Sequence, residues 1–122
     1  RDKTPVVFGQ WAANSVRGYA QLTLVARVDG VIVGYSAWRD NGAAAQYLGD
    51  KLAVSAVSSV VPEARRQNIF GAMLHACLLW HQERGYRYVE PVTHAINTGI
   101  QRASYSLGGR VLAARHSLHW HA

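Results

Sequence analysis

Two adjacent arginines, Arg65 and Arg66, are the residues of this sequence best suited to binding an anion. They follow a nearly continuous apolar run over residues 54–61, which is typical of a strand buried on both faces. From Ile69 onward the apolar spacing changes to a helical period. The first amides of a helix lack intrahelical partners, and the helix dipole favours negative charge there. A strand, a cationic turn and a helix start therefore predict a phosphate-binding site.

His94 is the histidine best placed for acid–base chemistry, because it follows directly after a predicted strand. Histidine titrates near neutral pH and serves as a general base in many enzymes. The alternative is a histidine that only bonds to a neighbouring loop. His119 and His121 would share one face of a strand, as metal ligands do, but no cysteine or carboxylate lies near them in sequence. We therefore expect no metal site.

Cys77 is the only cysteine of the chain, and it lies inside the helical pattern. A buried packing role is favoured over a nucleophilic one at such a position. A single cysteine excludes an intramolecular disulfide and fits a reducing compartment, so we expect a cytoplasmic protein.

A β-hairpin is the clearest element of the scaffold that must position these groups. Leu22–Val28 alternates in polarity, Asp29 and Gly30 supply a two-residue turn, and residues 31–38 form the partner strand. The helix after Ile69 is expected to bury Ile69, Met73, Ala76 or Cys77, and Trp80, with Phe70 and Leu74 beside them.

The remaining segments have weaker patterns. Asn97 is a good N-cap for a helix over residues 97–107, which ends at Gly108 and Gly109. The pattern predicts a short amphipathic helix within 1–18 that ends at Gly18, and a loop or irregular strand entry at 42–50. The helix that begins at Ile69 is expected to end at Gly85 and to be followed by a strand at 86–93. Residues 110–120 are predicted to form one long or two short strands.

The composition indicates one globular domain over residues 1–122, with 49% hydrophobic and 16% charged residues. Lys and Arg number 13 against 7 Asp and Glu, which gives a net charge of +6. The basic residues are dispersed, so nucleic-acid binding is disfavoured. No apolar run approaches the roughly 18 residues of a membrane span, and we expect no membrane partner.

The segment P-E-A-R-R-Q-N-I-F-G-A-M-L resembles the acyl-CoA-binding motif of the GCN5-related N-acetyltransferases, V-x-P-E-x-R-x-x-G-x-G/A. Matching positions are held by Val60, Pro62, Glu63 and Arg65. Asn68 and Phe70 replace the two motif glycines, and the bulky Phe70 side chain could obstruct a pyrophosphate. A later segment, T-H-A-I-N-T-G-I-Q-R-A-S-Y-S-L-G-G-R, is similar to the family's last helix, and with the closing H-S-L-H-W it resembles N-acetyltransferases of amino-sugar biosynthesis.

This resemblance implies a mixed α/β fold with a central, mostly antiparallel sheet flanked by helices. Family members place a strand and two helices before the hairpin, so we expect that first strand to be absent here and the chain to be part of a longer one. Leu22–Val28 would then be a sheet edge. An exposed edge invites pairing, so we expect a homo-oligomer or an upstream domain to cover it.

The resemblance also implies where a cofactor, acetyl-CoA as co-substrate, would bind. The expected contacts are Ser59, Val60, Val61, Arg65, Arg66, Gln67, Asn68, Ile69, Phe70, Gly71 and Asn97. Tyr105 is the candidate general acid, although Ser104 falls at the commonest spacing and Tyr105 could instead pack on a final hairpin. The implied reaction is acetyl transfer to a primary amine of a small molecule, with an amino sugar as the narrower expectation. The alternatives are a non-catalytic CoA-binding or interaction module and a fragment of a larger acyltransferase.

Overall fold

The computed structural model describes residues 10, 12–118 and 120, and its centre is a four-stranded sheet in the order β1-β2-β3-β4. The strands are β1 (Leu22–Val28), β2 (Val31–Asp40), β3 (Lys51–Val60) and β4 (Tyr86–Glu90). The first three pair antiparallel, and β4 runs parallel to β3. This mixed, mostly antiparallel sheet confirms the predicted fold class, and β1 is its outer strand among the described residues.

The turn between β1 and β2 is the predicted two-residue hairpin. Asp29 and Gly30 have φ values of 50° and 78°. Positive φ at both central residues gives the backbone a twist that matches the twist of the flanking strands. The hairpin prediction is therefore confirmed, with β2 extended by two residues to Asp40.

Three α-helices accompany the sheet between residues 42 and 106. They are α1 (Gly42–Leu48), α2 (Ile69–Glu83) and α3 (Thr98–Ser106), and a 3-10 turn over Pro62–Ala64 precedes α2. The helix α2 connects β3 to the parallel strand β4, and α3 lies beside α2. Gly85, with φ 78°, follows the end of α2 as predicted.

The segment predicted as a loop or strand entry at 42–50 is instead the helix α1. Asn41 caps this helix, because its side-chain oxygen accepts a hydrogen bond from the Ala44 amide at 3.1 Å. Gly49 ends the helix in the left-handed conformation, with φ 69°. A capping Asn, a run of alanines and a closing Gly are helix signals, and they outweigh the turn signal at 40–42.

The last two predicted strands are shorter or absent. The strand predicted at 86–93 ends at Glu90, since Pro91 has no N–H for a further ladder bond. No strand forms over residues 110–118 or at 120, where the prediction had one or two. Strands need a paired neighbour, and this segment has none in the described structure, as the 93% exposure of Leu118 shows.

The core lies between α2 and the hairpin. Its buried cluster contains Leu22, Trp38, Leu74 and Cys77, and Leu24, Phe70, Leu78, Trp80 and Val89 pack against it. Met73 and Cys77 are buried as the helical spacing predicted, whereas Ala76 is exposed. His81 is also fully buried, which the apolar pattern did not indicate.

The N-terminal prediction lies partly outside the described residues. Within them, residues 12–14 are helical and Ser15–Tyr19 form a π-helical turn. Gly18 interrupts this turn with φ 109°, in agreement with the predicted helix end. Among the described residues, no helix has the length and apolar character needed to cross a membrane.

Candidate functional site

A gap, which we call the β3–β4 opening, separates β3 from β4 where the two strands stop pairing. The last paired residues are Val54 and Glu90, so residues 55–60 of β3 have no strand on that side in the described structure. Ser55 spans the start of this opening, because its hydroxyl oxygen accepts a hydrogen bond from the Val92 amide at 2.8 Å. The opening therefore exposes one flank of a central strand to a ligand.

The N-terminus of α2 follows the far end of β3 and has no side-chain cap. Asn68 is the N-cap residue, but its side chain makes no capping hydrogen bond. The first three helical amides, at residues 69–71, have no backbone partner within the described part of the chain. The first acceptor of the helix, the Asn68 carbonyl, bonds to the Ala72 amide at 3.0 Å. The free amides and the helix dipole favour an anion at this point.

The two predicted arginines lie at this helix end, and both are exposed. The Nε atom of Arg65 donates a hydrogen bond to the Val60 carbonyl oxygen at 3.1 Å, which ties the guanidinium to the end of β3. Arg66 has a left-handed backbone, with φ 65°. The first turn of α2 contains no acidic residue, so neither guanidinium is neutralised there. Arginine can bind phosphate oxygens through two parallel hydrogen bonds.

Neither replacement of a motif glycine closes the α2 N-terminus. Asn68 adopts a left-handed backbone, with φ 55°, which is the conformation that glycine would take most easily. The Phe70 side chain is partly buried and packs against the core cluster. This packing argues against the obstruction of a pyrophosphate that its bulk suggests.

Gly71 gives the Asn68 side chain the space that it occupies. A Cβ atom at position 71 would lie only 2.9 Å from Cγ of Asn68 and would meet its amide oxygen more closely still. The Asn68 carboxamide thus lies against the first turn of α2 without capping it. A ligand that binds the free amides must share this space with Asn68.

Some of the backbone groups at the end of β3 that were predicted to contact the cofactor already form hydrogen bonds within the protein. The Val61 amide donates to the Val33 carbonyl at 2.8 Å, and the Val60 carbonyl accepts from Arg65. Ser59 is exposed. A bound ligand would therefore find its hydrogen-bond partners at other groups of this segment.

His94 and Asn97 lie in the loop that leads from β4 to α3. His94 is exposed, and its carbonyl accepts a hydrogen bond from the Asn97 amide at 2.9 Å. The Asn97 side chain accepts a hydrogen bond from the Ile100 amide at 3.4 Å, which confirms Asn97 as the N-cap of α3. Its contact with a cofactor stays a prediction.

Tyr105 is 49% exposed and lies two residues beyond Ala103, the buried residue of α3. Two residues correspond to about 200° around a helix, so the Tyr105 side chain leaves α3 on the side opposite to Ala103. Ser104, at the commoner family spacing, donates its hydroxyl proton to the Ile100 carbonyl at 2.9 Å. No hydrogen bond joins Tyr105 to His94 in the described structure.

No group of three or more metal-ligating side chains occurs among the described residues. His119 and His121, which were predicted to share one face of a strand, lie outside the described residues.

Sequence reasoning missed the hydroxyls of β3 as possible ligand contacts. Ser55 and Ser58 lie in the run over residues 54–61 that the pattern predicts as a buried strand, and both make side-chain hydrogen bonds: Ser55 to the Val92 amide across the β3–β4 opening, and Ser58 to Ser36 of β2. The available signal was the presence of polar side chains in an otherwise apolar run, since buried hydroxyls need partners.

The arrangement of these elements is the fold of the GCN5-related N-acetyltransferases, which confirms the resemblance at the level of the fold. The chain is similar to the ribosomal-protein-alanine N-acetyltransferase from Brucella melitensis biovar Abortus 2308, with 15% identity and a TM-score of 0.73 over 95% of this chain and 88% of that chain. The aminoglycoside N-acetyltransferase AAC(6')-Iy in complex with CoA has 17% identity and a TM-score of 0.69 over 100% of this chain and 97% of that chain.

A transcriptional regulator from Bacillus halodurans C-125 has the same fold, with 18% identity and a TM-score of 0.72 over 98% of this chain and 81% of that chain. The sequence matches no protein-family profile and no curated protein. Identities this low establish the shared fold only, so the activity has to be argued from the site.

Proposed function

We propose that the protein is an acetyl-CoA-dependent N-acetyltransferase that acts on a primary amine of a small molecule. One observation carries the proposal: the β3–β4 opening leads to the uncapped, cationic N-terminus of α2. This combination offers an elongated ligand a slot for a thioester arm and, at one end of that slot, a site for phosphates. The similar aminoglycoside N-acetyltransferase was solved with CoA, which supports the same ligand here.

The pyrophosphate of CoA would bind the free amides at 69–71 together with Arg65 and Arg66. Gln67 and Asn68 border this site, and the arm would extend along Ser59 and the rest of the β3 flank. Acetyl transfer then needs no covalent enzyme intermediate. The neutral amine nitrogen attacks the thioester carbon, the C–S bond breaks, the nitrogen loses a proton to a base, and the thiolate gains one from an acid.

His94 is the proposed base and Tyr105 the proposed acid of this reaction. His94 is exposed beside the β3–β4 opening, close in sequence to the Val92 amide that bonds across it. Tyr105 would have to approach from the exposed side of α3. The acceptor is proposed as a small amine, and an amino sugar is the narrower candidate because of the sequence resemblance and the aminoglycoside substrate class in the similar protein's name.

A titration of acetyl-CoA into the wild type and the double variant Arg65→Ala/Arg66→Ala tests the phosphate site. We expect the double variant to bind at least about tenfold more weakly, because each charge-assisted hydrogen bond to phosphate contributes more than a neutral one. The matched control removes two exposed arginines elsewhere, Arg102→Ala/Arg110→Ala. Equal affinity of the wild type and the Arg65/Arg66 variant would show that CoA does not bind at the α2 N-terminus.

A CoA-binding module without catalysis is the second candidate, and the position of Tyr105 favours it. Tyr105 lies on the side of α3 opposite to the buried face, and β3 carries no carboxylate over residues 51–60. Acetyl-CoA should raise the melting temperature under either proposal, because a ligand that binds only the folded state stabilises it. Release of free CoA thiol in the presence of a panel of small amines would occur only if the protein is an acetyltransferase.

The edge of β1 is proposed to be covered in the functional assembly, by a second copy or by an upstream domain. β1 is the outer strand of the described sheet, and Val25 and Val28 on it are exposed. A row of unpaired backbone groups is a template for another strand. Light scattering at several protein concentrations tests coverage by a second copy, and a strict monomer with an unprotected β1 in hydrogen exchange would contradict the proposal.

A further inference from the structure

A chain of three hydrogen-bonding side chains runs from the core to the β3–β4 opening. Nε1 of Trp38 donates to Oγ of Ser36 at 2.8 Å, and Oγ of Ser36 lies 2.7 Å from Oγ of Ser58. Trp38 and Ser36 are fully buried, whereas Ser58 is only partly buried. The chain therefore begins inside the protein and ends at a side chain that a ligand can reach.

The direction of these hydrogen bonds follows from the chemistry of the groups. An indole N–H can only donate, so Ser36 is the acceptor from Trp38. The hydroxyl proton of Ser36 is buried and needs an acceptor of its own, and Ser58 is the one within reach in the described structure. Ser36 thus donates to Ser58. The proton of Ser58 is left to point away from Ser36.

A β-bulge places Ser58 beside the opening. In the ladder between β2 and β3, Ala37 pairs with Val57 but Trp38 pairs with Ser55, so Ala56 is an extra residue. Without the bulge, side chains three residues apart would lie on opposite faces. With it, Ser55 and Ser58 share the face that carries Trp38. Both lie in the part of β3, residues 55–60, that has no strand beside it in the described structure.

We propose that Ser58 is a hydrogen-bond donor to a carbonyl oxygen of the acyl-pantetheine arm, held in that orientation by Ser36 and Trp38. The inference rests on the proposed function, since it requires the arm to lie along β3. The arm carries carbonyl oxygens in its thioester and its amides. Each of these oxygens can accept a hydrogen bond from the Ser58 hydroxyl, whose proton has no acceptor in the described structure. A donor fixed in advance loses little entropy when it binds.

The test compares two ligands across matched variants of Ser58. Acetyl-CoA carries the arm, and 3′-phospho-ADP is the nucleotide half of CoA without it. Ser58→Ala removes the hydroxyl. Ser58→Thr and Ser58→Val are isosteric with each other and differ only in the hydroxyl group, and both side chains suit a strand. Ser106→Ala is the control, because its hydroxyl already donates to the Ala103 carbonyl at 2.8 Å and lies outside the proposed site.

We expect Ser58→Ala and Ser58→Val to weaken acetyl-CoA binding roughly fivefold, the size of one neutral hydrogen bond, while 3′-phospho-ADP binds as to the wild type. Ser58→Thr should bind both ligands as the wild type does. Equal acetyl-CoA affinity of the Thr and Val variants would overturn the inference. An equal loss for both ligands would also overturn it, because it would indicate a purely structural role. A wild type that binds neither ligand would instead refute the proposed function.

Discussion

Nδ1 of His81 lies 2.8 Å from the carbonyl oxygen of Cys77, one helical turn earlier in α2. A carbonyl can only accept, so Nδ1 carries the proton, and Nε2 of the neutral ring is an acceptor. Nε2 has no hydrogen-bond partner in the described structure. The ring is fully buried and meets the edges or faces of Trp80 and Tyr86 at centroid distances of 4.9 and 4.7 Å. His81 is therefore a packed core residue with one unsatisfied acceptor.

Replacing His81 by Phe is expected to stabilise the protein by about 1 kcal/mol, because the ring contacts remain and the unpaired acceptor is removed. The lost hydrogen bond costs little, since the Cys77 carbonyl keeps its helical partner. Urea denaturation at pH 7 measures this change in the free energy of unfolding. A destabilised His81→Phe protein would show that Nε2 has a partner in solution.

The same residue should make stability depend on pH. Burial lowers the pKa of His81, opposed by its bond to the Cys77 carbonyl and by the charge of Asp40. The unfolded chain therefore binds more protons than the folded one just below the ordinary histidine pKa of about 6.5. The free energy of unfolding of the wild type should fall as the pH falls below that value, down to the folded-state pKa, and this part of the dependence should be absent in His81→Phe.

An exposed histidine of the same helix provides the control for this prediction. His75→Gln is the matched variant, because it removes a histidine that is exposed on α2 and leaves the buried ring of His81 unchanged. Denaturation curves between pH 5 and pH 8 compare the three proteins. Parallel pH profiles for the wild type and His81→Phe would contradict the assignment.

Cys77 should be unreactive in the folded protein. Burial raises its pKa to about 12, so on the order of one thiol in ten thousand is ionised at pH 8, and the sulfur is fully buried. A chromogenic disulfide reagent should therefore react slowly with the native protein and at once in denaturant. Ser117→Cys, at an exposed position, adds one thiol that should react immediately. Rapid labelling of native wild type would mean that α2 opens frequently.

Local patterns predicted the elements whose cause is local. Asp29 and Gly30 define a hairpin through their own backbone preferences, and Asn97 caps a helix through a contact three residues away. The strand β3, the cationic turn after it and the start of α2 could likewise be predicted, because each depends on residues that are neighbours in the sequence. Those elements fix the fold and the α2 N-terminus.

The remainder depends on contacts between distant segments. The bulge opposite Ala37 arises from the pairing of β2 with β3, and it decides that Ser55 and Ser58 share a face. The burial of His81 results from the packing of α2 on the sheet. The strands predicted at 110–120 need a partner that the described structure does not provide. No periodicity within a single segment contains this information.

Asn97 should contribute to stability through its cap. Asn97→Ala removes the acceptor for the Ile100 amide and is expected to destabilise the protein by about 1 kcal/mol, whereas Asn97→Ser keeps an acceptor and should stay within a few tenths. Thermal denaturation measures both. Asn14→Ala is the control, because Asn14 precedes a helical turn without a capping bond. If Asn97→Ser retains the stability but loses acetyl-CoA affinity, Asn97 also contacts the cofactor. Equal stability of all the variants would contradict the capping role.

Asn68 has a left-handed backbone conformation that asparagine adopts more readily than most residues. Two substitutions separate the effect of this conformation on stability from the effect of the Asn68 side chain on ligand binding. Asn68 has φ 55°, so Asn68→Ala should destabilise the protein by about 1 kcal/mol, whereas Asn68→Gly should change the free energy of unfolding by less than about half as much. Both variants remove the carboxamide that lies against Gly71. Each should therefore bind 3′-phospho-ADP more tightly than the wild type, because the ligand no longer has to share the space beside the free amides at 69–71 with the carboxamide. Urea denaturation and calorimetric titration provide the two measurements, and tighter binding by the Gly variant alone would mean that backbone freedom rather than the side chain limits access.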